Sequence, residues 1–136
     1  MGASILVIDD DAIVRETVQQ ILENAGYEVT CAENGERGLE AFRARRPDAV
    51  VTDIIMPERE GIGTMLEMRR EWPDAPIVAI SGGGRLANAD YLKMARNLGA
   101  NAVLAKPFEP EELIEAVARC LRARRAGVAS TEGSPP

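Results

Sequence analysis

Val50-Val51-Thr52-Asp53-Ile54-Ile55-Met56-Pro57-Glu58-Arg59-Glu60-Gly61 decides the fold. A β-branched run reads as a buried strand over Ala49–Asp53, and a Pro and a Gly then turn the chain. Asp53 sits where the strand runs out, a rigid place from which a carboxylate can do chemistry. Acids also start turns for purely local reasons, so Asp53 alone decides nothing.

The neighbouring segments repeat the pattern. Ile5-Leu6-Val7-Ile8 is an apolar run without alternation, as expected of a central parallel strand covered on both faces, and it ends in Asp9-Asp10-Asp11. Val14, Val18, Ile21 and Leu22 then mark a helix, with Asp11 fitting its N-cap and Gly26 its C-cap. Tyr27–Ala32 alternates like a strand nearer an edge. A helix over Gly35–Arg46 turns Leu39 and Phe42 inward and is closed by Pro47. The spacing predicts a third helix over Gly61–Glu71, burying Ile62, Met65 and Leu66. A strand Ile77–Ile80 ends at Ser81, and Gly82-Gly83-Gly84 opens a loop. A fourth helix lies within Ala87–Leu98, with Leu92, Ala95 and Leu98 inward and Gly99 as cap. The last strand, Ala102–Ala105, ends at Lys106-Pro107. A final helix from Pro110 carries Leu113, Ile114, Val117 and Leu121 on one face. The domain is expected over residues 1–125, with a disordered tail over 126–136.

Strands alternating with helices mean an α/β domain with a parallel sheet. In such sheets the functional crevice lies at the carboxyl ends of the strands. The polar residues at those ends are Asp9, Asp10, Asp53, Ser81 and Lys106, so four of the five strands bring reactive side chains to one rim. Three carboxylates in one crevice repel each other, and a divalent cation resolves the conflict; oxygen-only ligands select Mg²⁺ or Mn²⁺. With the Lys106 ammonium and the Ser81 hydroxyl, the pocket is complementary to a phosphoryl group, and Asp53 becomes a nucleophile toward phosphorus. Singly, Asp9 and Asp10 could cap a helix and Lys106 could be a solvated lysine. Their coincidence at one rim favours the chemical reading.

Composition narrows the rest. The 136 residues form one domain, and a formal charge of −6 argues against general nucleic-acid binding. No apolar run reaches the ~20 residues of a membrane span, and no secretory signal is visible, so a cytoplasmic protein is expected. Cys31 and Cys120 match no metal or redox spacing and read as reduced packing thiols. With no histidine in the chain, Ser-His and Cys-His nucleophile schemes are excluded. Gly82-Gly83-Gly84 lacks the lysine of a phosphate loop.

Ile5–Asp11, Asp53-Ile54-Ile55-Met56-Pro57 with Gly61, Ser81 after the fourth strand, and Ala105-Lys106-Pro107-Phe108 together resemble the response-regulator receiver domains of two-component signalling. The resemblance covers about residues 3 to 124. It implies a flavodoxin-like (βα)5 doubly wound sandwich, with a five-stranded parallel sheet of order 2-1-3-4-5. It implies that Asp53 accepts a phosphoryl group from a histidine kinase or phosphotransfer protein. Asp10, Asp53 and the backbone carbonyl of Ile55 would hold Mg²⁺, with Asp9 helping through water, while Ser81 and Lys106 bind the phosphoryl oxygens. Only self-phosphorylation and self-dephosphorylation are expected as enzymatic activity.

Departures from the family pattern shape the expected output. Val103 stands where the family usually carries a Tyr or Phe that swings inward on activation, and Gly83 gives the acyl phosphate no side-chain shield. The switch would run through Ser81, its loop and the surface of the fourth helix, last strand and last helix, which faces a downstream protein and supports a phosphorylation-dependent homodimer. Arg119, Arg122, Arg124 and Arg125 read as complementing the final helix's C-terminal dipole, with a docking patch for an acidic partner as the other reading. The alternatives are a receiver-like binding module acting without phosphorylation, or the receiver part of a larger regulator. A flavin carrier is disfavoured, because three acids would repel the cofactor phosphate.

Overall fold

The computed structural model describes residues 2–54, 60–81, 93, 96–97 and 99–133, with backbone only at 60–62, 81 and 124–133. The elements are β1 (Ser4–Ile8), α1 (Ala12–Asn24), β2 (Glu28–Ala32), α2 (Gly35–Ala44), β3 (Ala49–Asp53), α3 (Glu60–Glu71), β4 (Ile77–Ser81), β5 (Ala102–Ala105) and α4 (Pro110–Gly133). The strands form one parallel sheet of order β2-β1-β3-β4-β5. Ile55, the Met56-Pro57 turn, Gly82–Gly84 and most of the expected fourth helix lie outside the described residues. Lys93, Arg96 and Asn97 have helical backbone, and Gly99 follows them at φ +102°.

Alternation along the strands sorts the core into two layers. Ile5, Val7, Ala49, Val51, Val78 and Ile80 face α1 and α4, meeting Val18, Leu22, Leu113 and Val117. Leu6, Ile8, Val50, Ile77 and Ala79 face α2 and α3, meeting Phe42, Met65 and Met68. β3 is central and buried at every position, from apolar Ala49, Val50 and Val51 through polar Thr52 and Asp53. β2 is an edge, and its Glu28 and Thr30 are exposed as the alternation predicts.

Local signals fix the helix ends. The Asp11 carboxylate accepts from the backbone N–H groups of Ile13 and Val14, capping α1. At the other end Gly26 takes φ +97°, its N–H donating to Glu23 and that of Tyr27 to Leu22. These paired bonds form a Schellman ending, and the left-handed position favours glycine. Asn34 caps α2 through the N–H of Arg37. Gly38 lies where α2 crosses β1: a Cβ there would sit 2.5 Å from the tip of Ile8.

Two expectations change. In α3, Met68 is fully buried and Leu66 is 43% exposed. The inward face runs through Thr64, Met65 and Met68, and Leu66 is carried about 100° past Met65. Helical backbone in α4 is described as far as Gly133. Ala126, Ala129 and the absence of proline before Ser134-Pro135 are compatible with that extension. The arginines from Arg119 onward therefore lie inside the helix, not in its last turn, and the dipole explanation for them falls. Exposed Arg122 pairs with Glu115 at 3.1 Å. Among the described residues, no helix is long and apolar enough to cross a membrane.

Candidate functional site

Strand parity assembles the site. Continuing the alternation of Ile5 and Val7 brings Asp9 to the face packed by α1 and α4. Val51 leads likewise to Asp53, and Leu104 to Lys106. The ion pairs agree: Lys106 Nζ lies 3.3 Å from Asp53 Oδ2 and 3.6 Å from Asp9 Oδ2. Asp9 is 2% and Asp53 4% exposed, whereas Asp10 is exposed at the mouth. Carboxylate oxygens of Asp9, Asp10 and Asp53 lie within 4.8 Å of one another. Ser81 ends β4 in register with Ala105, at the same rim. Ile55 lies outside the described residues. Val103 is half-buried on the opposite face, against the core of α2 and α3.

The Asp9 backbone is held on both sides. Its N–H donates to the Ala32 carbonyl at 3.2 Å, extending the β1–β2 ladder by one rung. Its carbonyl accepts from Arg15 Nη1 at 2.8 Å, and its Oδ1 accepts from the Asp11 N–H at 2.9 Å. Oδ2 is buried and has no hydrogen-bond partner. Burial pushes the Asp9 carboxyl up to about 6, opposed by the Asp11 N–H and reinforced by the Asp53 charge. A buried carboxylate oxygen with no hydrogen bond and only the Lys106 ammonium 3.6 Å away, with two further carboxylates in reach, suits a hard divalent cation. One lysine does not neutralise three acids.

The cysteines are free: Cys31 is half-buried with its thiol 3.5 Å from Gln19 Oε1, and Cys120 is buried, which pushes its thiol up to about 11. The sequence reading missed Arg15. Its one signal was a cation placed near a helix N-terminus, where the dipole disfavours it.

Residues 5–118 match the response regulator receiver domain family. The chain belongs to that family. It is 36% identical over 118 residues to the chemotaxis protein CheY of Thermotoga maritima, a match covering 86% of this chain and 96% of that protein. It is 37% identical over 131 residues to the probable transcriptional regulator ycf27 of Pyropia yezoensis, covering 96% of this chain and 52% of that protein. The chain thus spans about half the length of several curated relatives it matches. Among solved structures, a receiver domain protein of Clostridium thermocellum superposes with a TM-score of 0.82 at 29% identity, covering 91% of this chain and 98% of that one. NtrX of Brucella abortus gives 0.92 at 30% identity, covering all of this chain and 30% of that one. Receiver domains are signalling modules that work with histidine kinases and downstream effectors, and they use an acidic pocket such as this one.

Proposed function

We propose that Asp53 is the phosphoryl acceptor of a two-component phosphorelay. The carrying observation is a buried carboxylate at the end of β3, 3.3 Å from the Lys106 ammonium and beside two further acids. An Asp53 carboxylate oxygen attacks the phosphorus of a phosphohistidine on a kinase or phosphotransfer protein. A P–O bond forms, the P–N bond breaks, and the departing imidazole takes up a proton from solvent. Asp10, Asp53 and the Ile55 carbonyl would hold Mg²⁺, or Mn²⁺, with Asp9 acting through water. When bound, the cation supplies charge neutralisation that the acids otherwise lack.

Lys106 screens the Asp53 charge before transfer and meets a phosphoryl oxygen after it; the Ser81 hydroxyl meets another. The same site transfers from small acyl phosphates and hydrolyses its own aspartyl phosphate. Closure of Ser81 and its loop over the phosphoryl group shifts the population toward a second conformer. With valine at position 103 that shift runs without a swinging ring. It is read by a downstream protein, or by a second copy, at the surface of the expected fourth helix, β5 and the last helix. The signalling domain spans residues 1–125 and works in the cytoplasm.

Intact mass after incubation with Mg²⁺ and a small acyl-phosphate donor tests this reading, beside Asp53→Asn. One added phosphoryl group in the parent and none in the variant is expected. No gain in either, at short incubation times, would replace this reading with a binding module independent of phosphorylation.

A further inference from the structure

We propose that Arg15 is a positioning residue for the Asp9–Asp10 turn, holding it by a charge-assisted hydrogen bond from Nη1 to the Asp9 carbonyl. The inference rests on reading the acid cluster as a divalent-cation site.

Beside the Lys106 ion pair at Oδ2, three hydrogen bonds hold Asp9, and two of them are backbone N–H contacts inherent in the strand and the turn: its own N–H on Ala32, and that of Asp11 on Oδ1. The third comes from a side chain on another element. Arg15 lies in the first turns of α1, its own N–H donating to the Asp11 carbonyl at 2.9 Å, and its half-buried side chain reaches back past the helix N-terminus to Asp9. That placement runs against the helix dipole: the Asp11 cap already occupies the N-terminus, and a cation beside it gains nothing from the exposed N–H groups. Propensity therefore does not explain the residue, whereas the 2.8 Å bond does: it ties the helix that follows the acids to the strand that precedes them.

With the backbone and Oδ1 of Asp9 held, Oδ2 is the oxygen left for the crevice. The peptide between Asp9 and Asp10 begins at the carbonyl that Arg15 holds, so the same bond sets the direction in which Asp10 leaves the strand. Groups that orient ligands in this way are worth about 10–100-fold in metal affinity. Arg15 touches neither phosphoryl group nor cation in this arrangement and acts only through the acids.

The test is calorimetric titration of Mg²⁺ into metal-free parent, Arg15→Met, Arg15→Lys and Asp10→Asn, with the urea midpoint of each measured in chelator. Methionine keeps the apolar stem and removes the donor; lysine keeps a cationic donor. Arg15→Met is expected to weaken Mg²⁺ binding about tenfold or more while remaining folded, with Arg15→Lys recovering part of the loss. A merely structural role would lower the urea midpoint and leave the Mg²⁺ affinity of the folded protein at the parent value. Affinity within about twofold of the parent in Arg15→Met, with Asp10→Asn impaired, would overturn the role of Arg15 alone. No Mg²⁺ binding by the parent, or parent-like binding by Asp10→Asn, would overturn the cation site and the proposal with it.

Discussion

The two ends of the sheet handle their polar groups in opposite ways. At the amino end, Asp48 Oδ2 accepts from the Ser4 N–H at 2.7 Å, and the Asp48 N–H donates to the Ser4 carbonyl at 2.8 Å. Arg69 donates to the carbonyls of Pro73 and Gly99, and Asn101 accepts from the Ile77 N–H at 2.9 Å, closing the start of β4 against the approach to β5. Among the buried side-chain atoms of the described residues there, Arg69 Nε alone makes no hydrogen bond. At the carboxyl end, acids gather around one lysine, Asp9 Oδ2 is buried without a hydrogen bond, and burial pushes the Asp9 carboxyl up to about 6. The lesson is a division of labour: one end is closed by matched donors and acceptors, while the other keeps unmatched charge for a ligand to match.

Mutations at the amino end should cost the most. Arg69→Ala removes two side-chain bonds to carbonyls and is expected to lower stability by about 2–3 kcal/mol, read from urea unfolding followed by Trp72 fluorescence. A loss below about 0.5 kcal/mol would remove the clamp from the account. Asp48→Ala leaves the Ser4 N–H without its carboxylate and is expected to cost about 1–2 kcal/mol in the same assay.

At the carboxyl end the sign reverses. Asp9→Asn in chelator at neutral pH is expected to stabilise the fold by roughly 1–3 kcal/mol, because a buried charge beside Asp53 and Asp10 is removed. Loss of one Lys106 partner keeps the gain toward the lower figure. The pH dependence follows. With the folded Asp9 carboxyl raised from 3.8 to about 6, its neutral form contributes stability that is fully present below about 4 and lost as pH rises through 6. Metal-free parent minus Asp9→Asn should therefore decline over that window; a flat difference would contradict the burial of the charge. The smallest effect is expected at Arg43–Glu71, an ion pair on the outside of α2 and α3. Arg43→Ala should leave the urea midpoint unchanged.

The same contrast explains what the sequence disclosed. Buried strands declare themselves by β-branched runs, so β1, β3, β4 and β5 were legible to within a residue, as were the Asp11 cap and the Gly26 ending. Rim residues were legible because a charged side chain at a strand end interrupts such a run. Leu66 was misplaced because Leu66, Met65 and Met68 are equally apolar, and only packing selects the face. Arg15 was invisible because its partner is a backbone carbonyl, which leaves no mark in a sequence.

The most direct measurement is the urea midpoint of the parent and of Asp53→Asn, each in chelator and in excess Mg²⁺. If the carboxyl end holds unmatched charge for a cation, Mg²⁺ raises the parent's midpoint and leaves that of Asp53→Asn nearly unmoved. Equal responses in the two proteins, or none in the parent, would contradict the account.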